Sequence, residues 1–407
     1  MVGAGPAGMM AAIRAAGLKQ DVTLLEKNPR PGQKLLLSGK GRCNLTNACD
    51  LDSFIKRFSP NGEFLRDAFR KFFNRELINF FESRGLKLNI ERQQRVFPDT
   101  SRSGSVLEAL TKELEKNKVR ILYNAKMKDI LIQDNKIKGL LFENGKALTA
   151  DRIILATGGV SFGFTGSTGE GMNIALRLGH SVIPLRPALV PLETKQKIAA
   201  GLKGLSLKNI RLTFSDGKKR IVSEIGELLF THFGISGPLV LSFSGRAADW
   251  LKEKKGVFVE IDLKPALSGE QLDSRILREF KQNPKKNIKN VLQALLPKSL
   301  ASVFTDIAAI TTDKKVSQIT QVERQKIVSL LKAWRLDILK TRPISEAMVT
   351  QGGISLKEIN PRTMESRIIK GLYFAGEIID LSADTGGFNL QAAFSTGYLA
   401  GESAALN

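Results

Sequence analysis

Apolar and polar residues follow three different patterns along this chain. Short apolar runs that lead into glycine-rich turns and small residues lie near both ends, which predicts buried strands followed by closely packed helices. In residues 61–84 apolar positions recur every three or four residues, which predicts a helical stretch with its phenylalanines in the core. Residues 119–156 form short runs with hairpin signals at Asp134-Asn135 and Asn144-Gly145, which predicts short strands.

The pattern changes twice in the middle of the chain. A stretch rich in strand formers and turns begins past Pro184, and a lysine-rich stretch of helical pattern runs from Ser268 to Leu339. Glycine-rich α/β character returns after Pro343. The predicted domains are an α/β domain of residues 1–186 plus 343–407, a β-rich insertion of residues 187–265 and a helical insertion of residues 266–342.

The N-terminal segment carries a dinucleotide-binding fingerprint, Gly3-x-Gly5-x-x-Gly8, with Glu26 at the end of the next apolar run. Gly3 permits a tight turn, Gly5 lets the backbone approach a pyrophosphate, and Gly8 lets the following helix lie close to the strand. A helix from about residue 6 to residue 16 then directs its free N–H groups and its positive dipole end at the phosphates. Glu26 is expected to accept hydrogen bonds from the ribose hydroxyls.

Only Met1 and Val2 precede this fingerprint, which normally follows a buried strand of roughly five or six residues. A central parallel strand supplies hydrogen bonds to neighbours on both sides, so its loss is costly. The first strand is therefore either nearly absent or begins upstream, and we expect an upstream start.

Two later segments of the chain are predicted to contact the same dinucleotide as the glycine fingerprint. The predicted strand of residues 152–156 runs into Thr157-Gly158-Gly159, where glycine allows close backbone contact. The apolar residues 372–374 lead to Gly376-Glu377, which is suited to ribityl or phosphate oxygens. A small-residue helix begins near Asn389, and its N-terminus is suited to the negative charge that develops around N1 and O2 of a reduced flavin.

Residues 27–47 form a long segment with three glycines, two prolines and many hydrogen-bond donors. Its basic and amide groups suit a phosphate-bearing ligand docked at the glycine fingerprint, although a plain surface loop is the alternative.

Several motifs together resemble the BaiN-like, aminoacetone-oxidase-like flavoproteins, also called NAD(P)/FAD-dependent oxidoreductases. The resemblance covers nearly the whole chain and implies a Rossmann-like, two-dinucleotide-binding-type FAD domain built from both chain ends, with β-barrel-like and helical domains inserted. Members are linked to amine oxidation and to bile-acid dehydroxylation, so no single reaction is implied. The motifs are Gly3–Gly8, Ser38–Asn47, Thr165–Gly169, Leu229–Pro238 and Thr385–Asn389.

The resemblance implies FAD as the cofactor. No second glycine fingerprint lies between a strand and a helix, so no dedicated NAD(P)H domain is expected. Electrons would come from the organic substrate or from a nicotinamide, NAD(P)H, that visits the flavin transiently. The reaction centre is expected to be flavin N5, with His232 and Cys43 as catalytic candidates, each with a structural role as its alternative. The predicted FAD contacts are Gly3, Ala4, Gly5, Pro6, Ala7, Gly8, Glu26, Lys27, Gln33, Lys34, Ser38, Gly41, Arg42, Cys43, Asn44, Met127, Thr157, Gly158, Gly159, Gly376, Glu377, Gly387, Phe388, Asn389, Leu390 and Gln391.

Composition narrows the remaining possibilities. The 407 residues include two cysteines and two histidines, too few and too far apart for a usual zinc site, and no apolar run is long enough to span a bilayer. Few cysteines favour a reducing cytoplasm. The net charge of +22 can favour nucleic acid or anionic lipid, but the lysines are scattered and no aromatic residues alternate with them, so we interpret them as solvated surface.

Three functions follow, of which the second belongs to another class than the first and third. The first is an FAD-dependent oxidoreductase that transfers hydride between flavin N5 and a small organic substrate. The second is a flavin-containing binding protein for RNA or an anionic surface, with incidental redox activity. The third is a dehydrogenase that uses the fingerprint for NAD.

Overall fold

The computed structural model of the protein describes residues 1–58, 60–253 and 256–406. These residues form two compact units, one of residues 1–188 with 344–407 and one of residues 189–343. Both ends of the chain therefore belong to one unit, and the other unit is a continuous insertion. The predicted separation of this insertion into a β-rich and a helical domain stays a prediction.

The described residues contain these helices: α1 (Pro6–Gly17), α2 (Gln33–Leu37), α3 (Leu51–Ile55), α4 (Arg66–Lys71), α5 (Asn74–Glu82), α6 (Ser103–Lys116), α7 (Glu170–Arg177), α8 (Ile198–Gly201), α9 (Pro238–Lys252), α10 (Gly269–Gln282), α11 (Ile288–Leu292), α12 (Lys298–Ile307), α13 (Gln321–Lys332) and α14 (Phe388–Leu406).

They contain these strands: β1 (Thr23–Leu25), β2 (Thr46–Asn47), β3 (Leu88–Ile90), β4 (Arg95–Pro98), β5 (Arg120–Leu122), β6 (Met127–Gln133), β7 (Lys136–Phe142), β8 (Ala147–Thr149), β9 (Ile153–Leu155), β10 (Val182–Ala188), β11 (Leu192–Thr194), β12 (Ser206–Ser215), β13 (Arg220–Val222), β14 (Gly226–Phe230), β15 (Gly234–Ser236), β16 (Phe258–Asp262), β17 (Trp334–Thr341), β18 (Val349–Ile354) and β19 (Leu372–Phe374).

Parallel strands form the Rossmann-like part of the first unit. Strand β1 pairs with β5 and strand β9 pairs with β19, both in parallel. Val2 connects the two pairs, because it forms parallel bridges with Leu25 of β1 and with Leu155 of β9. A single bridging residue thus occupies the place of the central strand, and the α/β fold class is confirmed.

Helix α14 packs against α1 and so brings the two ends of the chain together. The approach is close, because a Cβ added at Gly397 would lie 2.2 Å from the carbonyl oxygen of Ala7. At Gly401 the same atom would lie 2.4 Å from the carbonyl oxygen of Ala11. Only glycine permits such contact between helix backbones, so the small residues in α14 set the position of α1.

The apolar stretch 61–84, which its spacing predicts to be helical, contains two α-helices separated by a break. Helix α4 ends at Lys71, Phe72 is extended with φ −153° and ψ 96°, and α5 begins at Asn74. The break frees the carbonyl of Phe72, which accepts a hydrogen bond of 2.6 Å from the Ser395 hydroxyl of α14. The phenylalanine core is confirmed, since Phe54 packs edge-on against Phe69, Phe73 and Phe388.

The second unit is built around an antiparallel sheet of seven strands in the order β13-β12-β14-β15-β11-β17-β16. Strand β12 also pairs with β16, which closes the sheet into a barrel and confirms the predicted barrel-like insertion. Helices α10 to α13 share one apolar core with the barrel, in which Leu272, Phe304 and Trp334 are buried together.

Strand β17 corrects the predicted helical pattern, which was extended to Leu339. Its residues alternate between buried and exposed, with Trp334, Leu336 and Ile338 buried. This two-residue period is the signature of a strand, and the preceding lysine-rich helices concealed it. Because Thr341 of β17 pairs with Leu192 of β11, the two ends of the insertion lie side by side.

Candidate cofactor site

The three fingerprint glycines occupy three different environments in the turn before α1. Gly3 has φ +100°, and a Cβ there would lie 2.6 Å from the carbonyl oxygen of Ala156. A Cβ at Gly8 would lie 1.9 Å from the carbonyl oxygen of Gly3. At Gly5, by contrast, a Cβ would meet nothing within 4 Å. Gly3 and Gly8 are therefore required by packing, whereas Gly5 borders open space at the N-terminus of α1, where Pro6 and Ala7 follow.

Glu26 lies beside this turn, and its side chain is buried. One carboxylate oxygen accepts a 3.0 Å hydrogen bond from the N–H of Ala4, and the other accepts a 2.9 Å bond from the N–H of Asn28. Glu26 thus holds the glycine turn in place, and each of its oxygens retains a further lone pair for a ligand hydroxyl.

A network of polar side chains connects the N-terminal and C-terminal segments. The Lys34 ammonium donates to Glu377 at 2.6 Å and to the Ser161 hydroxyl at 2.7 Å. The other oxygen of Glu377 accepts from the Thr350 N–H at 2.7 Å and from the Ser161 hydroxyl at 3.1 Å. Gly376, with φ +78°, precedes Glu377 and packs against Ala7 of α1. The structure therefore brings residues 7, 34, 161, 350 and 377 together.

The segment of residues 38–44 folds back on itself through several residues of positive φ. Gly39, Lys40, Gly41 and Cys43 all adopt the left-handed region. A Cβ at Gly41 would meet nothing within 4 Å, so this glycine, like Gly5, faces open space. The Ser38 hydroxyl donates to the carbonyl of Leu35 at 2.6 Å and ends α2.

Arg42 and Asn44 attach this segment to the rest of the unit. Arg42 forms an ion pair with Glu91, and its guanidinium lies 4.2 Å above the ring of Phe97. With its amide oriented for hydrogen bonding, Asn44 accepts from the Gly387 N–H at 3.1 Å and donates to the carbonyl of Thr46. The predicted contact residues 44 and 387 are therefore neighbours.

Cys43 is completely buried, and burial raises the pKa of its thiol to about 12. A nucleophilic or redox-active cysteine needs a thiolate at neutral pH, which this environment disfavours. The geometry supports the structural alternative for Cys43, in which a small side chain packs inside a tight loop.

Residues in the first turn of α14 fix its position through hydrogen bonds and core packing. The Asn389 side chain accepts from the Ala383 N–H and donates to the Ala383 carbonyl, each at 2.9 Å, which closes the preceding loop. Gln391 is buried and donates to Ser395 at 2.9 Å, while its side-chain oxygen has no partner among the described residues. Phe388 is buried in the phenylalanine core, and Leu390 is half-buried on the first turn.

The remaining six predicted contacts lie in several parts of the same unit. Thr157 follows β9 next to Gly3, and its hydroxyl is buried with no partner within the described part of the chain. Gly158 has φ +75°, and a Cβ at Gly159 would lie 2.3 Å from the Thr350 hydroxyl. The other three are Gln33 at the start of α2, Lys27, whose ammonium donates to Thr168 at 2.7 Å, and Met127, which is buried in the core with Val2 and Leu25.

The two histidines have different environments. His232 is exposed in the second unit, beside the ring of Phe233. His180 is buried, with Nδ1 3.3 Å from the Ala175 carbonyl and Nε2 2.8 Å from the Ser366 hydroxyl. Because the Ala175 carbonyl can only accept, Nδ1 carries the proton and Nε2 accepts from Ser366. Burial lowers the pKa of His180, and the two hydrogen bonds of its ring support a structural role.

Three polar residues of this region were missed by the sequence reasoning. Ser161 and Thr350 complete the network around Glu377, and Asp380 follows it, with a pKa raised by burial. The pair Gly352-Gly353, two residues after Thr350, is the sequence signal that could have marked this segment, because both glycines have positive φ.

Neither a metal cluster nor a membrane-spanning helix occurs in residues 1–58, 60–253 and 256–406. No group of three or more histidine, cysteine, aspartate or glutamate side chains there has the arrangement of a metal site. Within the same residues, no helix is both long enough and apolar enough to cross a bilayer.

A profile of the HI0933-like protein Rossmann domain matches residues 1–403. The chain belongs to the HI0933-like family. It is 32 % identical over 409 residues to a 3-dehydro-bile acid delta(4,6)-reductase of Clostridium scindens, covering 100 % of this chain and 98 % of the relative. It is also 32 % identical over 402 residues to a ribosomal RNA dihydrouridine synthase of Haemophilus influenzae, covering 98 % and 96 %.

Solved structures agree on the fold of this HI0933-like chain. A 3-ketosteroid-delta4-(5alpha)-dehydrogenase of Rhodococcus jostii superimposes with a TM-score of 0.53 at 17 % identity, covering 100 % of this chain and 96 % of that one. A 3-ketosteroid delta1-dehydrogenase of Sterolibacterium denitrificans gives a TM-score of 0.54 at 12 % identity, covering 99 % and 98 %. At these identities the likeness shows the fold alone.

The family and the site geometry agree on the cofactor. Gly5 borders open space that a side chain would fill, and this fits a dinucleotide at the N-terminus of α1. The protein is an FAD-dependent oxidoreductase of the HI0933-like family.

Proposed function

We propose that this enzyme reduces a carbon–carbon double bond conjugated to a carbonyl group. The observation that carries the proposal is the chemistry shared by the names of its relatives. A delta(4,6)-reductase of a 3-dehydro bile acid and a dihydrouridine synthase both add hydrogen to a double bond next to a carbonyl. FAD, when bound, supplies the hydride for such a reaction from its reduced N5 atom.

The residues predicted from the sequence are the ones we propose to hold FAD. The N–H groups at the start of α1 would bind the pyrophosphate beside Gly5, and Glu26 would accept hydrogen bonds from the adenosine ribose. Glu377, held by Lys34 and Ser161, would orient the ribityl chain. The N-terminus of α14 would stabilise negative charge on the ring system, because its free N–H groups carry partial positive charge.

We propose a nicotinamide as the electron source, visiting the site transiently. The sequence has a single glycine fingerprint between a strand and a helix, and FAD uses it. A nicotinamide that visits the flavin only briefly needs no dinucleotide-binding domain of its own. The cytoplasm stays the predicted location, because it supplies nicotinamides and keeps cysteines reduced.

Two substrate classes remain, a free small molecule and a uracil within RNA. The charge distribution favours RNA. Residues 189–343 carry 28 lysines and arginines against 15 aspartates and glutamates, a net charge of +13, whereas the longer first unit has 34 against 25, a net charge of +9. A polyanionic substrate makes use of such an excess, whereas a free bile acid carries a single carboxylate.

The deciding experiment mixes the reduced holoenzyme, without oxygen, with an unsaturated 3-oxo steroid, with free uridine and with ribosomal RNA. We expect the oxidised flavin absorbance to return and the product to gain two hydrogen atoms by mass spectrometry. Turnover of RNA alone would assign the RNA substrate, and turnover of the steroid alone would assign the small molecule. Reoxidation only by oxygen, with no reduced product from any of the three, would reject the proposal.

The proposed FAD site has its own test. Glu26→Ala should weaken FAD retention by about 1.5–3 kcal/mol, because the ribose loses its acceptors and the Ala4 N–H loses its partner. FAD occupancy after dilution measures this. As a control of similar chemistry, Glu358→Ala removes a half-buried carboxylate that accepts only from the Ser181 N–H among the described residues, and it should retain FAD.

A further inference from the structure

We propose that five lysines on the helical side of residues 189–343 form a docking surface for the phosphate backbone of RNA. The inference extends the proposed function, because it assigns the part of the chain that holds an RNA substrate. The residues, called the lysine surface below, are Lys281, Lys285, Lys286, Lys289 and Lys315.

Backbone pairing joins the two segments that carry the lysine surface. Asn287 and Lys315 form an antiparallel bridge, although they are 28 positions apart in the sequence. The Val316 N–H donates to the carbonyl of Lys286 at 3.0 Å, and the Ser317 N–H donates to the carbonyl of Pro284 at 3.1 Å. Lys285, Lys286 and Lys315 therefore project from one paired ribbon, which Lys281 precedes at the end of α10 and Lys289 follows in α11.

These lysines are not neutralised by the fold. Within the described residues none of the five forms an ion pair, and four of them are exposed while Lys289 is half-buried. Nearby lysines behave differently, since Lys314 pairs with Glu323 and Lys332 pairs with Asp262, both at 2.7 Å. Clustered like charges repel one another, so folding stability does not explain the lysine surface.

The chemistry of the ribbon favours nucleic-acid phosphates over a membrane. Residues 281–290 and 313–318 contain no phenylalanine, tyrosine or tryptophan, so the surface offers charge without a platform for stacking bases. Its apolar members, Ile288 and Val316, are buried in the core. A membrane-binding surface would present such apolar side chains outward. The surface is therefore suited to contact with a phosphate backbone, independent of the base sequence.

The test compares two holoenzyme variants of equal charge. The surface variant carries Lys→Gln changes at all five positions of the lysine surface. The control variant carries Lys→Gln at five exposed lysines of the first unit that form no ion pair in the described chain: Lys87, Lys112, Lys116, Lys128 and Lys138. Fluorescence anisotropy measures binding of a labelled RNA hairpin between about 50 and 200 mM salt.

We expect the surface variant to bind RNA at least tenfold more weakly. The slope of log K against log salt should decrease by roughly 0.7–0.9 for each phosphate that the variant no longer neutralises. The control should change affinity less than threefold. Equal losses of affinity in both variants, no loss in either, or tighter binding of phosphatidylserine vesicles than of RNA by the unaltered enzyme would overturn the proposal.

The result of the RNA-binding test can be distinguished from the result for the proposed reduction. Flavin reoxidation by free uridine or by the unsaturated steroid does not involve the lysine surface, so it should be the same in both variants. If reduction fails with every substrate while the surface variant alone loses RNA, the proposed function is wrong and the docking surface stands. If reduction of RNA succeeds equally in both variants, the docking surface is wrong.

Discussion

At the scale of single residues, a substitution at Gly5 is expected to affect ligand binding, whereas one at Gly8 is expected to affect folding stability. A Cβ at Gly5 enters open space with a φ of −82°, which any residue adopts, whereas a Cβ at Gly8 collides with the Gly3 carbonyl. Gly5→Val should weaken FAD binding by tenfold or more, about 1.4 kcal/mol, with the apoprotein as stable as before. Gly8→Ala should lower the free energy of unfolding itself by roughly 1–3 kcal/mol.

Flavin absorbance after gel filtration and denaturant unfolding of the apoprotein measure the two effects. An unchanged flavin content in the folded Gly5→Val variant would contradict the assignment of the open space to the cofactor.

Cys43 provides a second test at this scale. Because burial raises the pKa of its thiol to about 12, a thiol reagent at pH 8 should not modify it in the native protein. In a Cys49→Ser background, where Cys43 is the remaining cysteine of the sequence, we expect no reactive thiol before unfolding and one afterwards. Rapid native labelling would return Cys43 to the catalytic candidates.

His180 makes stability depend on pH in a defined direction. Its pKa in the folded protein is below the ordinary value of about 6.5, so between those two pKa values the unfolded chain binds more protons. Stability should therefore fall as the pH decreases from 7 towards 5, by at most about 1.4 kcal/mol per pH unit.

Replacing His180 by glutamine should reduce this slope, and the same change at the exposed His232 should leave it intact. Urea unfolding at each pH measures the slopes. Equal slopes in the two variants would show that carboxylates alone cause the acid sensitivity.

At the scale of elements, the contact between α1 and α14 positions the glycine turn. Gly397→Ala inserts a methyl group 2.2 Å from the Ala7 carbonyl, so the helices must separate. We expect a decrease of roughly 1–3 kcal/mol in unfolding free energy and weaker FAD retention, because α1 carries the proposed pyrophosphate site.

Gly104→Ala in α6 is the matched control. A Cβ there meets nothing within 4 Å, so the change should be neutral or stabilising by up to about 1 kcal/mol. Equal effects at positions 104 and 397 in thermal unfolding would contradict close packing of α1 on α14.

The pairings between elements differ in how far the sequence predicted them. The strand-turn-helix order around Gly3 and around Gly376 follows from apolar runs and glycine positions, so both were predicted. The break between α4 and α5 was not, because it depends on Ser395 binding the Phe72 carbonyl from the opposite end of the chain. The network of Lys34, Ser161 and Glu377 depends in the same way on distant segments meeting.

At the scale of the whole molecule, the chain enters and leaves the insertion through paired backbone. The Arg342 N–H donates to the Pro191 carbonyl at 3.0 Å, and on the other side of the boundary Ala188 pairs with Val349. The insertion also has its own apolar core. A fragment of residues 189–343 should therefore fold alone, with a cooperative thermal transition in circular dichroism.

The complementary fragment, residues 1–188 joined by a short linker to 344–407, should retain FAD. If the insertion fragment unfolds without cooperativity, or if the joined fragment binds no FAD although it is folded, the division into two units would be wrong.

The sequence by itself determined the fold class and the dinucleotide fingerprint, because glycine spacing and apolar runs act over a few neighbouring residues, whereas FAD rather than NAD followed from the resemblance to a family. Tertiary structure alone decided that Gly5 borders open space, that the Cys43 thiol is buried, and that Lys315 joins the cluster at 285–289. Each of these depends on which distant segments pack together, and burial, charge and open space exist only once they do.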